Sequence, residues 1–211
     1  TSRESLVVDI TAYKFNKLYT EDLKLENATL KLTTSNVKTW GGPENDGGDV
    51  PDTQVVNGYT WNFKNVLFVG TGLAPISIPN MLIENSDVSI DFLNKYAMGV
   101  DTNFALSGYG TDIPSEIRNS TFKLSNTLFG IVMLDATLNI DNSKIDLNVF
   151  GDEDVYRNHG SIGILFEGKG NISIKNSELN FTRNNLYQTP VLIYGSLQSF
   201  TIGENTVINT P

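Results

Sequence analysis

The run Ile140-Asp141-Asn142-Ser143-Lys144-Ile145-Asp146-Leu147-Asn148-Val149 decides the fold. Ile145, Leu147 and Val149 alternate with polar residues, the period of a strand with one buried face. Just upstream, Thr137 to Ile140 reads as another short strand. Only Asp141, Asn142 and Ser143 separate the two, so the chain must bend sharply at Asn142. Asn is one of the few residues that tolerates the left-handed backbone such a bend requires.

The phrase recurs: an apolar residue, any residue, Asn, a small residue, then apolar residues at Asn+3 and Asn+5. It appears as Leu25-Glu26-Asn27-Ala28 with Leu30 and Leu32, and as Ile83-Glu84-Asn85-Ser86 with Val88 and Ile90. Ile117-Arg118-Asn119-Ser120 with Phe122 and Leu124 follows, as does Ile174-Lys175-Asn176-Ser177 with Leu179 and Phe181. Weaker copies are Phe63-Lys64-Asn65-Val66 with Phe68, and Ile202 to Asn205 with Val207 or Ile208. Successive Asn residues lie between 20 and 38 residues apart. Repeats on this scale mark a solenoid, and the longer steps read as insertions into loops on one side.

Each unit supplies a third strand before the other two: Ile131 to Leu134, Ile162 to Phe166 and Val191 to Tyr194 in the last three. The expected architecture is therefore all-β, a right-handed parallel β-helix (β-solenoid) of about seven coils. It forms one domain over 1–211, with an N-terminal cap and first strand in 1–24 and coils in 25–208. Stacked at the strand spacing, Asn27, Asn65, Asn85, Asn119, Asn142, Asn176 and Asn205 can bond amide to amide as a ladder. A leucine-rich repeat is the competing solenoid, but it places two residues between the last strand Leu and Asn where this chain has one. Open solenoid ends need caps. Ala12, Phe15, Leu18 and Tyr19 have helical spacing and suggest an N-terminal lid, whereas nothing comparable follows Ile208.

Net charge is −9, from 15 basic and 24 acidic residues. Nucleic acid and anionic membranes are poor partners for such a chain. No apolar run reaches the ~20 residues of a membrane span. The absence of cysteine excludes disulfides and thiolate chemistry.

The Asn-ladder coils resemble the pectate-lyase superfamily of parallel β-helices. Gly163-Ile-Leu-Phe-Glu-Gly168 with Ile172-Ser-Ile-Lys-Asn-Ser177, and Ile193-Tyr-Gly-Ser196 with Phe200-Thr-Ile-Gly-Glu-Asn205, are similar to the pectate-lyase-like adhesive regions of Gram-positive surface proteins. The binding regions of serine-rich-repeat adhesins look similar too. The resemblance covers nearly the whole chain. It implies a segment of a longer protein on the bacterial surface or cell wall, with a polysaccharide or host glycoprotein as partner. The same fold also carries enzymes and tailspike-like fibres, so it does not by itself assign a function.

Lyases of this fold hold calcium with clustered carboxylates and carry an Arg or Lys base on the first strand. The four arginines are Arg3, Arg118, Arg157 and Arg183, and none falls in a first-strand run. For a hydrolase the best acid pair is Asp135 and Glu167, which end the first strands of adjacent coils; solvated strand ends are the plainer reading. Binding has more support. Aromatic residues that can stack on sugar rings concentrate in the insertions, at Trp40, Tyr96, Tyr109, Tyr156 and Tyr187. Arg157, His159 and Arg183, which read as loop residues, are the nearby basic groups. The acidic insertion around Glu44, Asp46, Asp49 and Asp52 is either a solvated loop or a calcium-ordered one. The expected function is a non-catalytic adhesin region; the alternatives are a polysaccharide lyase or glycoside hydrolase, and a structural fibre segment.

Overall fold

The computed structural model describes residues 6–12, 18–19, 22–34, 56–57, 60–71, 76–78, 80–91, 100–102, 114–127, 129–149, 161–183 and 188–210. Every regular element among them is a strand. β1 (Leu6–Ala12) is followed by β2 (Leu18–Tyr19), β3 (Asp22–Thr34), β4 (Val56–Asn57) and β5 (Thr60–Thr71). Thereafter strands come in threes. They are β6 (Ile76–Ile78), β7 (Asn80–Glu84) and β8 (Asp87–Asp91); β9 (Val100–Thr102), β10 (Ser115–Arg118) and β11 (Thr121–Thr127); β12 (Phe129–Leu134), β13 (Leu138–Asp141) and β14 (Lys144–Val149). The last two sets are β15 (Ser161–Glu167), β16 (Gly170–Lys175) and β17 (Glu178–Arg183), then β18 (Gln188–Tyr194), β19 (Leu197–Ile202) and β20 (Val207–Asn209).

All recorded pairings are parallel. A seven-stranded sheet runs β2-β4-β6-β9-β12-β15-β18. The other sheet has 13 strands and forks at β5. Residues before Asn65 continue into β7, β10, β13, β16 and β19, and residues after it into β8, β11, β14, β17 and β20. β3 and β5 run straight through their Asn, whereas every later layer breaks into two strands there. The arrangement is consistent with a parallel β-solenoid.

The core follows from the alternation. Phe63, Ile83, Ile117, Ile140 and Ile174 before the Asn are buried, as are Phe68, Val88, Phe122, Ile145 and Leu179 at Asn+3. Fully burying each such side chain stabilises by about 1.5–3 kcal/mol. Phe63 and Phe68 meet edge to face across the Asn65 bend, with ring centroids 6.1 Å apart. From the seven-stranded sheet, Ile131, Met133, Ile164 and Phe166 close the interior.

Two expectations are corrected here. The helical spacing of Ala12, Leu18 and Tyr19 does not make a helical lid: Ala12 ends β1, and Leu18 and Tyr19 form β2. The reason is the edge. β1 pairs with the second limb of β3 from Leu6↔Ala28 to Ala12↔Thr34, satisfying backbone groups that a helix would leave unpaired. Phe15 lies outside the described residues. Arg183, expected in a loop, is instead the last residue of β17, opposite Val149.

Candidate functional site

All seven Asn of the repeat adopt left-handed backbone, with φ between 46° and 53°. Six of them bond amide to amide across neighbouring layers. Asn65 Nδ2 donates to Asn27 Oδ1 at 2.7 Å, Asn142 to Asn119 at 2.8 Å and Asn205 to Asn176 at 3.3 Å. Between Asn142 and Asn176 the pattern changes, because Asn176 Nδ2 donates to Asp141 Oδ1 at 3.0 Å.

The residue after each Asn matters as much, and the sequence reading gave it only a size. Ser86, Ser120, Ser143 and Ser177 are buried. Their hydroxyls accept from the backbone N–H of Val66, Ser86, Ser120 and Ser143 of the preceding layer at 3.0–3.1 Å. Each hydroxyl also donates to the carbonyl two residues earlier, that of Glu84, Arg118, Asp141 or Lys175, at 2.6–2.8 Å. The hydroxyl column thus satisfies buried polar groups that the bend takes out of the strand pattern. Ser143→Ala orphans the buried Ser120 N–H and is expected to cost about 1–2 kcal/mol in urea denaturation. An unchanged midpoint would mean that this bond adds nothing to stability.

Outside this corner lies an open groove of about 500 Å³ lined by Asn119, Asn142, Asn176 and Asn205, with Lys144 and Glu178 also in its wall. Lys144 Nζ lies 3.5 Å from Glu178 Oε1. Asn180 Nδ2 donates to Asp146 at 2.7 Å and to Glu178 at 2.8 Å, and Asn209 donates to Asn180 at 2.7 Å. The Asn180 amide, then Lys144, holds the Glu178 carboxyl below its ordinary range. Likewise the Asn176 amide, then Lys175 at 3.3 Å, lowers that of Asp141. These carboxylates are bonded in the ionised form, so their contribution is present above the unfolded-state pKa and is lost as pH falls through the lower folded value. Thermal melting is expected to drop as pH falls below about 4, and to drop less in Asp141→Asn. Equal acid sensitivity of the two proteins would exclude Asp141 as a contributor.

Glu167 ends β15, as expected, but Asp135 lies one residue past the end of β12, because Leu134 is the partner of Glu167, and it has a structural task there. It is the one described residue other than Asn and Gly with left-handed backbone, φ 48°. Its N–H donates to the Glu167 carbonyl at 2.9 Å, and its Oδ1 accepts the Lys169 N–H at 2.7 Å. Gly168 and Gly195 occupy the matching turns of the next two layers, with φ 88° and 118°. A side chain at Gly168 would collide with the Asp135 carboxylate. This second bend column was visible in the sequence as an Asp or Gly just after each of these first strands. The Asp135 carboxylate braces the following turn, and Glu167 is exposed.

A further feature is the edge where the post-Asn strands end. Register places Thr33, Thr71 and Asp91 side by side there, and Thr127, Val149 and Arg183 likewise. In chain order the segments 35–55, 92–99, 150–160 and 184–187 all leave from strands ending at this edge and return to the seven-stranded sheet. They contain Trp40, Tyr96, Tyr156, Arg157, His159 and Tyr187, together with Glu44, Asp46, Asp49 and Asp52. Tyr109 belongs to the connection from β9 to β10. All these residues lie outside the described ones. Among the described residues, no group of three or more His, Asp or Glu is placed to hold a metal ion, and no helix is long and apolar enough to cross a membrane. No family model, curated protein or solved structure matches the chain.

Proposed function

We propose that this chain is a non-catalytic adhesive region of a bacterial surface protein, binding glycans or a host matrix component through its loops and side face. In this reading it is a right-handed β-helix of about seven coils, one strand of the seven-stranded sheet belonging to each, with the Asn residues as a ladder at one corner. The observation that carries the functional reading is the common edge. Four segments leave from strands ending there, each with an aromatic residue and three of them with charged residues as well, on a scaffold whose parallel register fixes their spacing. Rigid frameworks that present variable connections are a common way to build a binding face. The amide groove adds neutral donors and acceptors suited to sugar hydroxyls.

Immobilised neutral and acidic polysaccharides provide the test, with new reducing or unsaturated ends followed in parallel. Retention of at least one polysaccharide without new ends is expected. Trp40→Ala or Tyr156→Ala should weaken it about tenfold, equivalent to roughly 1.4 kcal/mol. If the Glu44–Asp52 segment binds calcium, chelator will reduce retention and added calcium will restore it. New ends that vanish in Asp135→Asn or Glu167→Gln would replace adhesion by catalysis. No retention of any polysaccharide or matrix protein would remove the adhesive reading.

A further inference from the structure

We propose that the groove along the Asn corner is a binding lane for one chain of a neutral, ribbon-like polysaccharide of the cellulose type, lying across the layers along the stacking direction. This rests on the adhesive reading and names the ligand class for its side face. The first observation is that the lane is bare. Two residues, the Asn and the one after it, separate β7 from β8, β10 from β11, β13 from β14 and β16 from β17, and β3 and β5 pass their Asn unbroken. Four residues separate β19 from β20. No long connection is therefore rooted in this corner, and a linear polymer can follow it from layer to layer.

The second observation is charge. The residue before each Asn alternates in sign along the stack. Glu26, Lys64, Glu84, Arg118, Asp141 and Lys175 stand side by side in register, and Glu204 takes the next place. Lys64 lies 3.7 Å from Glu26, and Lys175 lies 3.3 Å from Asp141. On the other wall Lys144 is paired with Glu178 at 3.5 Å. Beside the groove Arg118, Lys144 and Lys175 thus offset Asp141, Glu178 and Glu204, although the whole chain carries −9. Opposite charges one layer apart cancel within the roughly 8–10 Å over which salt screens them. An acidic polymer finds no surplus of positive charge here, and a neutral one needs none.

The third observation is period. In the groove the amides pair Asn142 with Asn119 and Asn205 with Asn176, while Asn176 donates to Asp141 across the step between the pairs. Asn142 Oδ1, beside that step, has no donor among the described residues. Amide pairs and charge pairs both repeat every two layers, roughly 9.6 Å at the usual strand spacing. A cellulose-type chain is a flat ribbon whose sugar rings face alternately to either side. The same edge returns with every second ring, at close to this distance. Each amide offers both a donor and an acceptor, as a row of sugar hydroxyls requires. A coiled, amylose-type chain has no such straight repeat.

Cellohexaose is the probe, titrated into isotope-labelled protein while the Asn side-chain amide signals are followed by NMR. The signals of Asn142 and Asn176 are expected to shift, with an affinity at least tenfold above that for cellobiose or for maltohexaose, the same sugar in a coiled chain. Asn142→Gly with Asn176→Gly keeps residues that accept the bends and should weaken binding at least tenfold. The parent's own signals decide the matter even where this double variant melts early. No shift of these signals at millimolar cellohexaose overturns the lane. So does binding that Trp40→Ala abolishes and the glycine pair leaves unchanged. In either case retention of the protein by another immobilised polysaccharide keeps the adhesive reading standing, and retention by none removes both.

Discussion

Gly163→Ala is expected to destabilise the protein by about 3 kcal/mol, measured by chemical denaturation. Gly163 is buried in β15, and a Cβ there would run into the Phe181 ring and the Pro190 carbonyl. One neighbour is a side chain packed from the other sheet; the other is backbone of the adjacent strand, which can move only by opening the layer spacing. Overpacking typically costs about 1–3 kcal/mol, and the backbone collision puts this case at the upper end. Phe181→Leu in the same chain should recover part of the loss, because the ring is half of the obstruction. Lys123→Ala, on the outer face, should change stability by less than about 0.5 kcal/mol. A Gly163→Ala protein as stable as the parent would show that the layers are not packed this closely.

Asn142→Leu comes next, with an expected loss of about 2–3 kcal/mol. About 1–2 kcal/mol comes from forcing a branched aliphatic residue into left-handed backbone. About 0.5–1.5 kcal/mol comes from losing the amide bond to Asn119. Asn142→Gly separates the two contributions, since glycine accepts the φ of 46° but offers no amide. Its cost should be smaller, near 1 kcal/mol. Equal melting of the Leu and Gly variants would mean that the bend geometry is not what selects Asn.

The parts of this structure legible from sequence are those governed by short-range rules. Strict alternation after Asn142 names the buried residues, and a fixed bend leaves few residue types that can occupy it. All seven predicted Asn have the left-handed conformation for that reason. What escaped depends on register between layers. Ser143 looks like any small residue until Ser177 and Ser120 are known to lie directly above and below it. Asp135 looks like a candidate acid until its partner, the Lys169 N–H, is found 34 residues away. The N-terminal misreading has another origin. Over a short window, Ala12, Leu18 and Tyr19 satisfy a helical spacing by chance, and the unpaired edge of β3 outweighs that local pattern. The candidate binding residues read as insertions in the sequence; that the segments carrying Trp40, Tyr96, Tyr156, Arg157, His159 and Tyr187 leave from one edge, while Tyr109 does not, emerges only from the strand register.

That common edge has a consequence for how such a chain can change over time. The register of the stack is held by the interior columns and by the two bends, none of which lies on the connections that leave Thr34, Asp91, Val149 and Arg183. Doubling the length of one such connection costs only about 0.6 kcal/mol in closure entropy, less than a single buried serine bond. Mutation can therefore lengthen, shorten or rewrite these segments one at a time without disturbing the strands beneath them. A lineage carrying this stack could rewrite these surface segments many times over while inheriting the same folding problem already solved.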